Sequence, residues 1–222
     1  MKRASTIWLL APVAAVLPLL ATCKADIIDR IAVSVGTKVI TTSDIDREIR
    51  VTAFLNGIKP DLTAPNRKST ADRMVEQKLV QREVETSRYP QADESEVMPI
   101  LRELQSKRYS DADAYQAALR EYGISEKDLV DEIRWQRTFL RFTAIRFRPG
   151  VQVADDEIQK YFDETVVPAA RAAHPEETPK LEEYRDQIEE KLTGDRTDQE
   201  MNRWLASVRR RTEIVYHEDA FR

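Results

Sequence analysis

The sequence predicts a mainly α-helical, multi-helix protein in which a small N-terminal β-hairpin is completed by a strand near the C-terminus. Three observations lead to this fold class. Glycine is scarce, at 5 of 222 residues, while the helix-favouring residues Glu, Lys, Arg, Gln, Ala and Leu are common. Patterns that cap the starts of helices recur along the chain. Two stretches, residues 29–42 and 212–216, alternate apolar and polar residues as β-strands do, and they lie near opposite ends of the chain once residues 1–25 are set aside.

The strands are placed by the alternation of apolar and polar residues. Residues 29–42 alternate on either side of Gly36-Thr37, which suits the tight turn of a hairpin. Residues 212–216, TEIVY, form a short strand that has no neighbour in sequence with which to pair. Because a lone strand needs a sheet, we expect the C-terminus to return to the hairpin and complete a three-stranded sheet.

Short capping motifs predict where the helices begin. Residues whose side chains can accept a hydrogen bond from the first helical turn precede periodic apolar runs at Ser43, at Ser69, at Asp93, within residues 110–113 and at Ser125. Gly123 suits the left-handed position that ends a helix. The sequence therefore predicts a series of helices joined by short turns.

These elements divide the chain into four regions. Residues 1–25 match an export signal, and residues 26–150 form an N-terminal helical region that includes the hairpin. Residues 151–180 are predicted to be a short helix and a proline-rich linker. Residues 181–222 form a C-terminal helix and strand that pack back on the N-terminal region. At residues 193–195 the apolar line of this last helix shifts, so the helix either breaks or changes its packing partner there.

The first 25 residues have the pattern of an export signal rather than of a folded element. Lys2 and Arg3 precede the apolar stretch 7–21, which is short for a transmembrane helix. Two processing sites are open: the sequence LATC resembles a lipobox, which would place a lipid on Cys23, and cleavage after Ala25 is the alternative. The remaining chain has no other cysteine, so it forms no intramolecular disulfide. These features predict a periplasmic or envelope protein that touches a membrane only through such a lipid anchor.

Composition and motifs argue against several classes of function. The formal net charge is −4, so the chain lacks the excess of basic residues that is typical of a nucleic-acid-binding protein. His174 and His217 do not form a pair at metal-ligand spacing. The sequence contains neither a glycine-rich phosphate loop nor a Gly-x-Ser-x-Gly nucleophile motif. We therefore predict no catalytic residue, no metal and no cofactor.

Residues 128–147 form one long helix with two apolar stripes. Helical spacing aligns a first set, which should lie in the core: Leu129, Ile133, Leu140, Ala144 and Phe147. A second set, Trp135, Phe139 and Phe142, lies on a different face. A helix at the rim of a small domain normally needs one apolar stripe. The second stripe is therefore either buried against another part of the protein or exposed as a surface for unfolded polypeptide.

The order of these elements resembles that of SurA-type periplasmic chaperones. Residues 29–48 resemble the start of that family's mature chain, where a hairpin runs into a helix with an acidic cap. Residues 122–147 and 151–162 resemble the end of its N-terminal helical region, and residues 181–216 resemble its C-terminal helix and strand. Proteins of this type usually carry parvulin prolyl-isomerase domains between these regions, whereas residues 162–181 are too few to form one.

The resemblance implies ATP-independent binding of unfolded outer-membrane β-barrel proteins, without isomerase activity. Such clients alternate apolar and polar residues. The candidate client-binding residues are Trp135, Phe139 and Phe142, and more weakly Met98 and Tyr109. Two alternatives stay open: a degenerate peptidyl-prolyl cis-trans isomerase, and a non-enzymatic envelope assembly protein that is lipid-anchored through Cys23.

Overall fold

The computed structural model describes residues 29–173, 176 and 179–222. In this part of the chain, helices surround one three-stranded antiparallel sheet, which confirms the predicted fold class. The predicted export signal with Cys23, and the residue His174, lie outside the described residues.

The sheet joins the two ends of the described chain. Its strands are β1 (Ile31–Val35), β2 (Lys38–Thr41) and β3 (Ile214–Tyr216), and their order is β2-β1-β3. Gly36 turns the chain between β1 and β2 at φ +57°, a conformation that residues with a Cβ adopt at a cost. Both neighbours of β1 run antiparallel to it, so the predicted return of the C-terminal strand is confirmed.

Polar contacts fix β3 to the hairpin and to the helices. At the hairpin turn, the backbone N–H of Gly36 donates to the carbonyl of Glu213, just before β3, at 2.8 Å. The hydroxyl of Tyr216 donates to the carboxylate of Asp72, and Arg209 donates to the same hydroxyl at 2.9 Å. Since Tyr216 lies on β3, and Asp72 and Arg209 lie on two different helices, this network holds the C-terminal strand against the helices.

The helices that the structure describes are α1 (Thr42–Asn56), α2 (Ala64–Thr86), α3 (Glu94–Arg108), α4 (Ala112–Tyr122), α5 (Glu126–Arg146), α6 (Asp155–Tyr161), α7 (Val167–Ala173) and α8 (Leu181–Arg211). The predicted caps Asp93 and Ser125 are confirmed, because the side chain of each accepts a backbone N–H of the first turn. The helix start predicted within residues 110–113 is also confirmed, and Asp111 supplies the capping side chain. Gly123 ends α4 at φ +65°, as predicted.

Two of the predicted helix starts are wrong. Thr41, not Ser43, caps α1: its hydroxyl accepts the N–H of Asp44 at 3.2 Å, and the Asp44 carboxylate accepts the N–H of Thr41 at 3.1 Å. Helix α2 begins at Ala64 rather than after Ser69. Pro65 does not prevent this earlier start, because a proline in the first turn removes only an N–H that has no partner inside the helix.

Helix α5 crosses from one hydrophobic core to another. Leu129 and Ile133, in its first half, belong to a core formed with α1, α3 and α4. Phe142, and Phe147 just after the helix, belong to a larger core formed with the sheet, α1, α2 and α8. The first half of the helix therefore buries Leu129 and Ile133 of the first stripe, whereas the second half buries Phe142 of the second stripe.

The predicted proline-rich linker is in large part helical. A turn of π-helix at residues 162–166 joins α6 directly to α7. Within it, the N–H of Val167 donates to the carbonyl of Phe162, five residues earlier. Pro168 lacks an N–H, and a π turn is one way in which a helix accommodates such a gap in its hydrogen-bond ladder. Ile158 and Phe162 then pack on Ile188 of α8 in a third apolar cluster.

Helix α8 runs through Gly194 without a break, so the second of the two alternatives, a change of partner, is correct. Ile188 packs in the third cluster, whereas Leu205 packs in the largest core. One long helix thus connects the α6–α7 segment with the sheet-bearing body.

We expect Gly194→Ala to raise the free energy of unfolding by about 0.5–1 kcal/mol, because alanine loses less backbone entropy than glycine in a helix. A Cβ at this position meets no heavy atom within 4 Å. Urea unfolding measures the change. As the contrasting variant, Gly123→Ala should destabilise, because φ is +65° and Arg50 Nη1 lies 2.9 Å from the added Cβ. A loss of stability in Gly194→Ala would contradict an unbroken α8.

Candidate functional site

The three aromatic residues of the second stripe on α5 differ in burial. Phe142 is 0% exposed, and its ring lies 5.0 Å from that of Tyr89 and 5.6 Å from that of Trp204. Trp135 and Phe139 are only partly buried, with 5.9 Å between their ring centroids. The assignment of Phe142 to the client surface is therefore wrong, because α8 and the chain after α2 cover α5 at this point. Trp135 and Phe139 remain candidates.

The prediction that Leu140 and Ala144 lie in the core is also wrong. Leu140 is 59% exposed, and Ala144 is exposed as well. Beyond Ile133, the buried side chains of α5 no longer belong to the core shared with α3. Phe142, on another face of the helix, packs instead in the core that includes α8. Leu140 borders a shallow depression between α1, α3 and α5 that Ile100 and Leu104 also line.

Met98 and Tyr109 do not lie with the Trp135 pair. Both pack at the edge of the core formed by α1, α3, α4 and α5. The ring of Tyr109 stacks on Phe54 at 6.0 Å and meets Tyr115 edge-on at 5.5 Å. Burial raises the pKa of the Tyr109 hydroxyl, as expected for a side chain that belongs to the packed interior. The structure therefore separates these two weaker candidates from the aromatic pair on α5.

Trp135 lies where three open pockets adjoin. The pockets measure about 240, 250 and 260 Å³, and Trp135 lines all of them. Together they form the α2–α5 groove, whose walls include Gln77, Gln81, Glu132, Trp135, Phe139 and Met201. The groove is a feature of the tertiary structure, because α2 and α5 are separated in sequence by two other helices.

The two sides of the groove have different chemistry. Phe139, Met201 and Leu205 give it an apolar end, where α5 faces α8. Gln77 and Gln81 stand one helical turn apart on α2 and line its middle. Each amide side chain can both donate and accept hydrogen bonds. The groove can therefore contact an apolar side chain and a polar backbone at the same time.

Two glutamates from different helices share the groove with Trp135. Glu48 on α1 and Glu132 on α5 line the same two pockets. Burial raises the pKa of Glu48 to about 7, and the charge of Glu132 adds to the shift while Arg73 opposes it. Burial also raises the pKa of Glu132. Within the described chain, no lysine or arginine nitrogen lies within 4.0 Å of either carboxylate.

Sequence reasoning missed this pair of glutamates. On a helix of a highly charged protein, a glutamate is usually a solvated surface residue. Only the packing of α1 against α5 brings Glu48 and Glu132 to one groove. The sequence carries no signal that distinguishes them from its other acidic residues.

Among the described residues, no group of three or more His, Cys, Asp or Glu side chains is arranged to hold a metal ion. None of the described helices combines the length and the apolar character needed to cross a membrane.

Comparison with known proteins places the chain in no group. No protein-family description matches the sequence, and no curated protein is similar to it at a significant level.

We expect Phe142→Ala to lower the free energy of unfolding by about 3–5 kcal/mol, because it empties the centre of a buried aromatic cluster. Trp135→Ala should cost well under half as much, since the indole already faces an open groove. Chemical unfolding of both variants measures the difference. An equal loss would show that Trp135 is as much a core residue as Phe142, and would remove it from the candidate site.

We expect Glu48→Gln to stabilise the protein at pH 8 by about 1–3 kcal/mol and to have little effect near pH 4.5. The folded pKa of about 7 is above the ordinary value of 4.5, so charging Glu48 destabilises the fold as the pH rises through this range. Urea unfolding at both pH values gives the difference from the wild type. Glu103→Gln, on an exposed ion pair with Lys107, is the control and should not show this gain. A Glu48→Gln variant that is less stable at pH 8 would contradict the assignment.

Proposed function

We propose that the protein is an ATP-independent periplasmic holdase that binds unfolded outer-membrane β-barrel proteins during transit and assembly. The observation that carries this proposal is the position of Trp135, partly exposed where three open pockets adjoin. A large aromatic side chain kept at an open groove offers contact area at little cost in conformational entropy. A partly exposed aromatic side chain of this kind favours binding of a partner, whereas a helix with a purely structural role does not require one.

The groove suits an extended chain better than a folded partner. An unfolded segment carries backbone N–H and C=O groups that need partners once they leave water. Gln77 and Gln81 can supply these partners along one side. In an extended segment, alternate side chains point in opposite directions. One set would then face Trp135 and Phe139, while the other would stay in solvent.

Binding many different sequences requires an adaptable surface. Met201 is only partly buried and lines the apolar end of the groove, whereas Met74 lies beneath the groove in the core. Methionine has an unbranched and flexible side chain, and it is common at surfaces that accept varied partners. Several open pockets of similar size favour many weak contacts over one specific ligand. These properties are those of a holdase, which must also release its client.

The export segment and the order of elements support a β-barrel client. Residues 1–25 match an export signal, and the order of elements resembles that of SurA-type chaperones. Strands of outer-membrane barrels alternate apolar and polar residues, often with aromatic residues at their ends. Such strands match a groove with an aromatic wall and an amide-lined middle.

We expect the double variant Trp135→Ala/Phe139→Ala to lose most of the ability to suppress aggregation of an unfolded β-barrel protein. The measurement is light scattering of a urea-diluted barrel protein at a near-stoichiometric ratio of chaperone. The substitutions remove most of the aromatic surface of the groove, so the client affinity should fall by about ten-fold or more.

The matched control is Ile145→Ala, which removes another exposed apolar side chain from α5. Ile145 is 47% exposed and lines none of the three pockets. Circular dichroism confirms that each variant is folded. If the folded double variant protects clients as well as the control does, the groove is not the client site. If wild-type protein protects none of several barrel clients, the proposed function is wrong.

A further inference from the structure

The α2–α5 groove carries negative charge that the described chain leaves uncompensated. Asp44 is paired with Arg47 at 3.1 Å, and Asp131 with Arg134 at 3.1 Å. Glu48 and Glu132 have no such partner within 4.0 Å among the described residues. Apart from the exposed Glu85, the groove carboxylates without such a partner are therefore Glu48 and Glu132, which share two pockets with Trp135.

The charges of Arg73 and Lys78 on α2 lower the pKa of Glu48, but burial, which raises it, has the larger effect. Arg73 on α2 directs its guanidinium to the hydroxyl of Thr70, at 2.9 Å. Glu76, also on α2, lies 3.9 Å from Arg209 of α8. Helix α8 itself faces the groove with the apolar residues Met201 and Leu205. The remaining charged groups that line the two pockets are Asp44 and Arg47 on α1, Lys78 on α2, and Asp128 and Asp131 on α5.

We propose that the α2–α5 groove selects client segments in which a lysine or arginine lies next to an aromatic or aliphatic residue. The apolar side chain packs on Trp135 and Phe139, and the cationic head lies between Glu48 and Glu132. This specificity rests on the proposed function, because it concerns the same groove and the same extended clients. It identifies the substrate class as apolar segments with a positive charge, rather than apolar segments in general.

The chemistry of the groove favours such a cation over a neutral side chain. Two partly buried carboxylates repel each other and have lost part of their hydration, so a positive charge placed between them lowers the energy of both. The long aliphatic stem of a lysine or arginine can lie against the Trp135 ring, while its charged end reaches past it. A cation and a proton therefore compete for the same pair of carboxylates.

The test uses two fluorescein-labelled peptides and the full chain. Both peptides alternate valine or phenylalanine with serine or threonine, and they differ at one central position, which is lysine in one and norleucine in the other. Norleucine keeps an aliphatic stem without the charge. Fluorescence anisotropy in low-salt buffer at pH 8 gives the two affinities. We expect the lysine peptide to bind about ten-fold more tightly, as for a hydrogen-bonded contact with a charged group.

A change of pH and a pair of variants separate the carboxylates from general charge attraction. Lowering the pH from 8 to 5.5 protonates Glu48, while the peptide lysine stays charged. The preference for lysine should then fall to less than about two-fold. Glu48→Gln/Glu132→Gln should abolish the preference at pH 8. The control Glu103→Gln/Glu190→Gln removes the same net charge from ion pairs with Lys107 and Arg148, outside the groove, and should keep the preference.

Each outcome bears on a different proposal. Equal binding of the two peptides at pH 8 overturns the selectivity for positive charge and leaves the holdase function standing. Loss of the lysine preference in the Glu103→Gln/Glu190→Gln control also overturns it, because the attraction would then come from overall charge. If neither peptide binds while barrel aggregation is still suppressed, the groove is not the site and both proposals about it fail.

Discussion

The pairing of β1 with strands from both ends of the described chain is the constraint on which the rest of the structure depends. Strand β2 follows β1 directly, but β3 comes only after the helices α1 to α8. The helices must therefore bring the chain back to its start, and the Tyr216 network holds it there. Because α8 leads into β3, its C-terminal half is fixed across α2 and α5, which places Met201 at the end of the groove.

Helix α5 is subject to a second constraint, because one continuous helix contributes side chains to two separate cores. It buries Leu129 and Ile133 on one face and Phe142 on another. Between these contacts no single neighbour covers the whole circumference of the helix, and Trp135 remains partly open. The groove is therefore a consequence of how α5 is shared between the cores, and its two glutamates come from the same crossing of α1 over α5.

Local patterns in the sequence were sufficient for much of the fold. Capping boxes such as that of Ser125 act within one helical turn, and the alternation in residues 29–42 is equally local. Stripe spacing shows which residues share a helix face but not which neighbour covers that face. For this reason the spacing wrongly predicts that Leu140 is buried, and it does not decide whether Phe142 is buried, although Phe142 is fully buried. The partners of Glu48 depend on packing between distant segments, which no short pattern records.

The unbroken α8 has a consequence for where an additional domain could be inserted into this chain. Its 31 residues span about 46 Å at 1.5 Å per residue. One end is embedded beside the sheet, and the other is held by α6 and α7 in a separate apolar cluster. An extra domain inserted between α7 and α8 would be attached at the N-terminal end of α8, away from the sheet. Such an insertion would leave the α2–α5 groove, which lies toward the other end of α8, unchanged.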